Sequence, residues 1–185
     1  MNAPLAKSTH PQRGRINISQ ISIEADEWLA IRLGVPAFRL MDIDCISAGV
    51  LKAEISKRVP ENAFIQSRIP SGQSETKRTL VRLAFGQVEK LITFEAPTSM
   101  FQLCDKVRVR MAIGGDRLRV VDLARRAFSH SRFHQDPMIS KDVANTIKAD
   151  WVDGFFKGRR GQGMIIAEDK DQIFGFLLFI ENKDR

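Results

Sequence analysis

The run Ile173-Phe174-Gly175-Phe176-Leu177-Leu178-Phe179-Ile180 decides how this chain is read. None of its eight side chains is polar. A strand apolar on both faces is expected to be buried on both, which places it centrally in its sheet. Only five residues follow it, ending at Arg185. They are too few to supply a next strand, and an uncovered apolar strand edge invites aggregation. An earlier strand, another chain or a continuation of this one would have to cover it. The reading adopted is the third, that the sequence is the front part of a longer protein.

Working back from that run, Met164 to Ala167 reads as its partner strand, with Glu168 to Asp171 as the hairpin turn. Ser140 suits an N-cap, and Asp142 the first turn, of a helix to Phe156. Val143, Ile147, Trp151 and Phe155 recur along it at helical spacing, Trp151 as a core residue, and Gly158 ends it. Ser129 to Pro137 reads as a polar loop. Asp116 opens an earlier helix to Phe128, with Leu118, Val121, Leu123, Ala124 and Phe128 as its buried stripe. Before the Gly114-Gly115 turn, Val107, Val109, Met111 and Ile113 alternate with Arg108, Arg110 and Ala112. That predicts a half-buried strand with its arginines in water. The order is strand, helix, helix, strand, strand.

An earlier unit runs from about Ile16 to Pro97. Ala25 to Leu33 reads as helix, Phe38 to Ile43 as extended and Ser47 to Arg58 as an amphipathic helix. Ala63 to Arg68 reads as strand, Gly72 to Leu83 as helix and Val88 to Glu95 as strand. Gly86 suits the left-handed position after a helix. Residues 1–15 are polar and are expected to form a flexible tail. The expected division is therefore a tail at 1–15, an N-terminal partial α/β domain at 16–97 and a second domain at 105–185. The fold class is α+β.

The chain has 185 residues, 43% apolar and 28% charged, a globular balance that excludes disordered, collagenous and coiled-coil proteins. No window supplies the ~20 apolar residues of a membrane span, and no secretory signal is visible. Cys45 and Cys104 make neither a disulfide framework nor a metal site, and no metal-ligand spacing occurs. A cytoplasmic protein with reduced thiols and no metal is expected. Lys and Arg number 29 against 22 Asp and Glu, a net +7. From Asp105 to Arg132 eight basic residues meet three acids, so this stretch alone carries +5. Such an excess steers anionic partners or forms a solvated face. Nucleic acid is disfavoured, because aromatic interleaving and a recognisable module are both missing.

The segment from Val121 to Pro137, VDLARRAFSHSRFHQDP, carries a family resemblance, continued by Ala149-Asp150-Trp151-Val152 and Ile173-Phe174-Gly175-Phe176. Together they resemble the opening half of the GNAT acyl-CoA N-acyltransferases, in particular the sugar N-acetyltransferases of the dTDP-fucosamine type. Arg68-Ile69-Pro70, Leu83-Ala84-Phe85-Gly86 and Val88-Glu89-Lys90-Leu91 resemble that family's N-terminal partial domain. The similarity spans about Trp28 to Ile180. It implies a GNAT-like fold whose second domain is incomplete, acetyl-CoA as co-substrate and a nucleotide-linked amino sugar as acceptor.

The chain departs from the family after Ile180, where the glycine loop that cradles the CoA pyrophosphate would follow. Backbone N–H groups at a helix start make such a loop an anion site. Arg159-Arg160-Gly161-Gln162-Gly163 has the wrong spacing, precedes a strand and reads as a basic turn. Four hydrogen bonds to charged phosphate, at about 1.5 kcal/mol each, amount to about 6 kcal/mol. The 185 residues alone are therefore expected to bind CoA poorly. The tyrosine that often protonates the leaving thiolate in this family must also lie elsewhere, because the chain has no tyrosine.

The candidate acceptor-facing residues are Arg132, Phe133, His134 and Asp136. Arg132 could pair with a nucleotide phosphate, since guanidinium forks match phosphate oxygens. His134 could accept a proton. The bland alternatives are that Arg132 pairs locally, that Phe133 plugs the core and that His134 is structural. His130 is expected to face water, His10 lies in the tail and Glu168 and Asp169 read as turn residues. The alternative function is a non-catalytic, degenerate acyltransferase that forms a homodimer through Ile173 to Ile180.

Overall fold

The computed structural model describes residues 21–94, 97 and 107–181. The expected tail at 1–15, with His10, lies outside the described residues, as do Cys104, Lys106 and the end at Arg185. The fold is mixed α and β with two small sheets. The chain divides into two compact units, Met1–Phe85 and Gly86–Arg185.

In the first unit, β1 (Ser22–Ala25), β2 (Ala37–Met41) and β3 (Phe64–Ser67) form a sheet in that order. The first pair is antiparallel and the second parallel. Helix α1 (Glu27–Leu33) follows Asp26, whose Oδ1 accepts from Leu29 N–H at 3.1 Å. Helix α2 (Ala48–Arg58) follows Ser47, which caps Val50 N–H. This satisfies donors that a helix start leaves unpaired. The core gathers Leu40, Ile43, Ile46, Leu51 and Leu80. Strand β1 was not foreseen, because its four residues SIEA carry too little alternation to signal a strand.

Helix α3 (Ser74–Arg82) ends in a Schellman motif. Phe85 N–H donates to Leu80 C=O and Ala84 N–H to Val81 C=O, each at 3.0 Å. The left-handed residue is Ala84, at φ 64°, and not Gly86 as expected. Phe85 packs on the core, which fixes where the chain must turn. The expected strand Val88–Glu95 is absent over its described residues 88–94. Leu91, Ile92 and Phe94 are exposed, Phe94 at 87%. Their spacing never alternates strictly, and no neighbouring strand pairs with them among the described residues.

In the second unit, β4 (Arg108–Met111), β5 (Gly163–Asp169) and β6 (Gln172–Phe179) form an antiparallel sheet in that order. Between β4 and β5 run α4 (Arg117–Ala127), a short α5 (Arg132–Gln135) and α6 (Lys141–Phe156). Ser140 caps α6 by accepting from Val143 N–H at 3.3 Å. Gly158, at φ 68°, takes the left-handed position beyond its end. The core comprises Val120, Ala124, Val152, Met164, Ile166 and Ile173.

Several expectations are corrected here. Helix α5 lies within the stretch read as a loop. On α4, Val120 is buried and Leu118 is exposed. On β4 the faces are exchanged: Val109, Met111 and Ile113 are exposed, and Arg110 points toward the packed side. Alternation fixes a strand's period but not which face is covered. Two carboxylates on the packed side hold Arg110 there. Arg110 donates to Asp116 at 2.7 and 2.9 Å and to Glu168 at 2.9 Å twice. Glu168 is thus a buried strand residue, and the hairpin turn is Lys170-Asp171, both at positive φ.

The run Ile173 to Ile180 is not central in its sheet among the described residues. β6 pairs with β5 and has no second strand partner among the described residues. Phe176 and Leu178 pack on the core, whereas Phe174 is 49% and Leu177 60% exposed. Ile173 reaches the core because the register shifts between Ala167 and Glu168.

Candidate functional site

Helix α5 is one turn long, and its position depends on what its side chains grip. Phe133 is buried, so it anchors the turn, as the structural alternative held. His134 ties the turn to α6. Its Nε2 lies 3.0 Å from Asn145 Oδ1 and its Nδ1 2.8 Å from Ser131 Oγ. The tautomer sets which nitrogen donates and which accepts. Both ring nitrogens are engaged in either case. Asp136 accepts from Met138 N–H at 2.9 Å, closing the loop toward α6. His130 is exposed, as expected. The four candidates share one short segment, but only Arg132 joins a cluster of charge.

That cluster went unnoticed in the sequence. The Arg132 guanidinium lies 4.6 Å from the centre of the Phe133 ring. Lys148, on α6, places Nζ 5.9 Å from the same ring, 4.7 Å from Phe128 and 5.8 Å from Trp151. The Arg160 guanidinium lies 5.9 Å from the Trp151 ring. Trp151, expected in the core, is 37% exposed. Burial first, and then the like charge of Arg132, push Lys148 below the ordinary lysine value, against the pull of Glu89. Lys148 stands three residues before Trp151, so one helix face carries both. That spacing was the available signal. The approach of Phe128, Arg132 and Arg160 was not readable, because it depends on how α5 and the turn before β5 pack.

Much of the positive charge between Asp105 and Arg132 is engaged within the unit. Arg110 and Arg119 meet Asp116, Arg117 meets Asp153, and Arg126 meets Asp122. Arg110 holds the Asp116 carboxyl below the ordinary range, and Glu168 is lowered by the same guanidinium. Arg117 and Lys157 bring Asp153 down to about 2. The Arg159-to-Gly163 turn is packed against β6. Gln162 N–H donates to Phe179 C=O at 2.9 Å, and Glu181 N–H donates to the Gln162 side chain. Gln162 N–H is thus used internally, and the segment leads into β5 and opens no helix, so it lacks the form of the phosphate loop described above. Among the described residues, no helix is long and apolar enough to cross a membrane.

No family model matches the chain. It is 27% identical over 133 residues to the spore coat polysaccharide biosynthesis protein SpsD of Bacillus subtilis (strain 168). The match covers 69% of this chain and 45% of that protein. The chain thus spans about half the length of its curated relative.

Proposed function

We propose that this chain belongs to an N-acyltransferase of the GNAT type. It would move an acetyl group from acetyl-CoA to the amine of a nucleotide-linked amino sugar during polysaccharide synthesis. The observation that carries this reading is the 133-residue match to a polysaccharide biosynthesis protein. The second unit, with its helices α4 to α6 between β4 and the β5–β6 hairpin, is compatible with it. Its residues 105–185 are then the opening part of the acyltransferase domain.

The chemistry joins the amine nitrogen to the thioester carbonyl carbon and breaks the carbon–sulfur bond. The amine loses a proton, and the thiol leaves with one. In this reading the chain contributes the acceptor side. Arg132 meets the anionic part of the acceptor, and His134 holds α5 in place through Ser131 and Asn145. The donor's pyrophosphate is not assigned to the Arg159-to-Gly163 turn, whose Gln162 N–H is already used, and no step is routed through it here.

The test uses the full-length protein with acetyl-CoA and a set of nucleotide-linked amino sugars. The expected result is thiol release matched by a sugar heavier by one acetyl group. Absence of thiol release with every acceptor overturns the reading.

A second reading rests on β6, which has no second strand partner among the described residues and exposes Phe174 and Leu177. Here the chain is a non-catalytic module that forms a homodimer through that strand. A dimer mass in light scattering without any ligand supports it, and a monomer mass removes it.

A further inference from the structure

Among the described residues, Lys148 alone of the lysines is not exposed. Its Nζ makes no salt bridge or hydrogen bond among them. Lys157, by contrast, pairs with Asp153. The Lys148 nitrogen lies instead 4.7 Å from the centre of the Phe128 ring, 5.8 Å from Trp151 and 5.9 Å from Phe133. These rings come from the end of α4, from α6 and from α5, so the amine sits where three elements meet.

Ring faces attract an ammonium, but they do not replace the water that burial removes. A neutral amine loses far less on leaving water, so this setting favours the unprotonated form. The charged groups nearby act in both directions. Arg132, on α5, opposes the ammonium and Glu89 supports it, while Arg160 reaches the Trp151 ring from the turn before β5. Burial and Arg132 prevail over Glu89. An amine desolvated in this way is an activated nucleophile.

We propose that Lys148 is an acylation site, whose side-chain amine takes the acyl group of a thioester. The thioester rests on the transferase reading, which supplies acetyl-CoA. The nitrogen–carbon bond forms, the carbon–sulfur bond breaks, and its electron pair leaves with sulfur. The proton shed by nitrogen ends on the thiol. The product is an amide, which holds its acyl group, so Lys148 ends as a stably modified residue and is no carrier in transfer. The acyl group then meets rings that had faced a charge, and the positive charge beside Arg132 is lost.

The probe is S-acetyl-N-acetylcysteamine, a small acetyl thioester that needs no coenzyme site. The 185-residue chain is treated briefly near neutral pH, and each lysine is followed by peptide mass spectrometry. Lys148 is expected to gain acetyl at least about threefold faster than Lys141, which is exposed at the start of the same helix. The ratio should fall to about one or below at roughly pH 11, where exposed amines are also largely neutral. Unfolding in urea should abolish the preference, because every lysine is then hydrated alike. That readout needs no variant to fold. Equal or slower labelling of Lys148 near neutral pH overturns the proposal, as does a preference that persists in urea.

Failure here is separable from failure of the transferase reading. Preferred labelling of Lys148, without acyl transfer to any sugar by the full-length protein, leaves the site standing and removes the reading. Acyl transfer to a sugar, with Lys148 labelled no faster than Lys141, removes the site alone.

Discussion

Arg110 grips Asp116 through two hydrogen bonds, Nη1 to Oδ2 at 2.7 Å and Nη2 to Oδ1 at 2.9 Å. Asp116 is 1% exposed and also accepts from Ile113 N–H and from Arg119. One carboxylate therefore ties β4 to the start of α4. Removing its charge leaves a half-buried guanidinium short of a partner, which is the costly way to break such a pair. Asp116→Asn is expected to destabilise the chain by about 3 kcal/mol, read from denaturant midpoints. An unchanged midpoint would show that the network merely decorates the packing.

At Ala84 a residue with a Cβ occupies a left-handed position, at φ 64°. Only glycine takes this conformation without strain. Ala84→Gly should therefore raise stability by about 0.5–1 kcal/mol, even though it removes a methyl group, because that gain exceeds the added chain freedom. Thermal unfolding checks the sign. A lower midpoint would mean that relief of strain is smaller than the entropy lost on folding.

These two cases show what the sequence could and could not convey. The elements that carry caps and long periodic stretches were legible, such as the helix that Ser140 opens and the β5–β6 hairpin. What failed was the choice of face. Val109, Met111 and Ile113 look like a buried row until Asp116 and Glu168 are known to claim Arg110 from the other side. Glu168 lies 58 positions from Arg110 in sequence, so local reading could not join them. The same limit hid the candidate site. Arg132 and His134 stood out by residue type, whereas Lys148 matters only because packing brings Arg132 to a ring it shares.

Gly163 faces Phe179 across the hairpin, and the aromatic ring lies over the glycine. A Cβ at Gly163 would approach Phe179 Cζ to 2.3 Å, so the ring would have to leave. Gly163→Ala should cost about 1–3 kcal/mol, the usual range for overpacking. In a Phe179→Ala background the same change should cost clearly less, because the clash is gone. Additive effects in that double-mutant cycle would exclude the ring as the cause.

His134 is placed to hold α5, which makes a separable forecast. His134→Ala removes both the Ser131 and the Asn145 contacts. The expected loss is about 1–2 kcal/mol of stability, with faster amide exchange confined to α5 and its flanks. If the transferase reading holds, acyl transfer falls through weaker acceptor binding. A large fall in kcat at unchanged KM would instead give the imidazole a direct part in the chemistry.

Asp153 supplies the pH dependence. Arg117 Nε lies 2.6 Å from Oδ1 and Lys157 Nζ 2.5 Å from Oδ2, and together they lower its pKa from the ordinary 3.8 to about 2. A carboxyl depressed on folding stabilises the native state while it is ionised in both states. That contribution is complete above the unfolded value and is lost as pH falls through the folded one. Both cationic partners are nearly half exposed, so solvent screening reduces the gain to about 1 kcal/mol. Asp153→Asn should therefore be less stable than the original by about 1 kcal/mol near neutral pH. The gap should close between roughly pH 4 and pH 2, where Asp153 of the original chain protonates and the variant has no carboxyl at that position. Urea unfolding at stepped pH reads this directly. A gap that stays constant into acid would mean the substitution acts through the packing of α6 and not through charge, and the two ion pairs would lose their claim on stability.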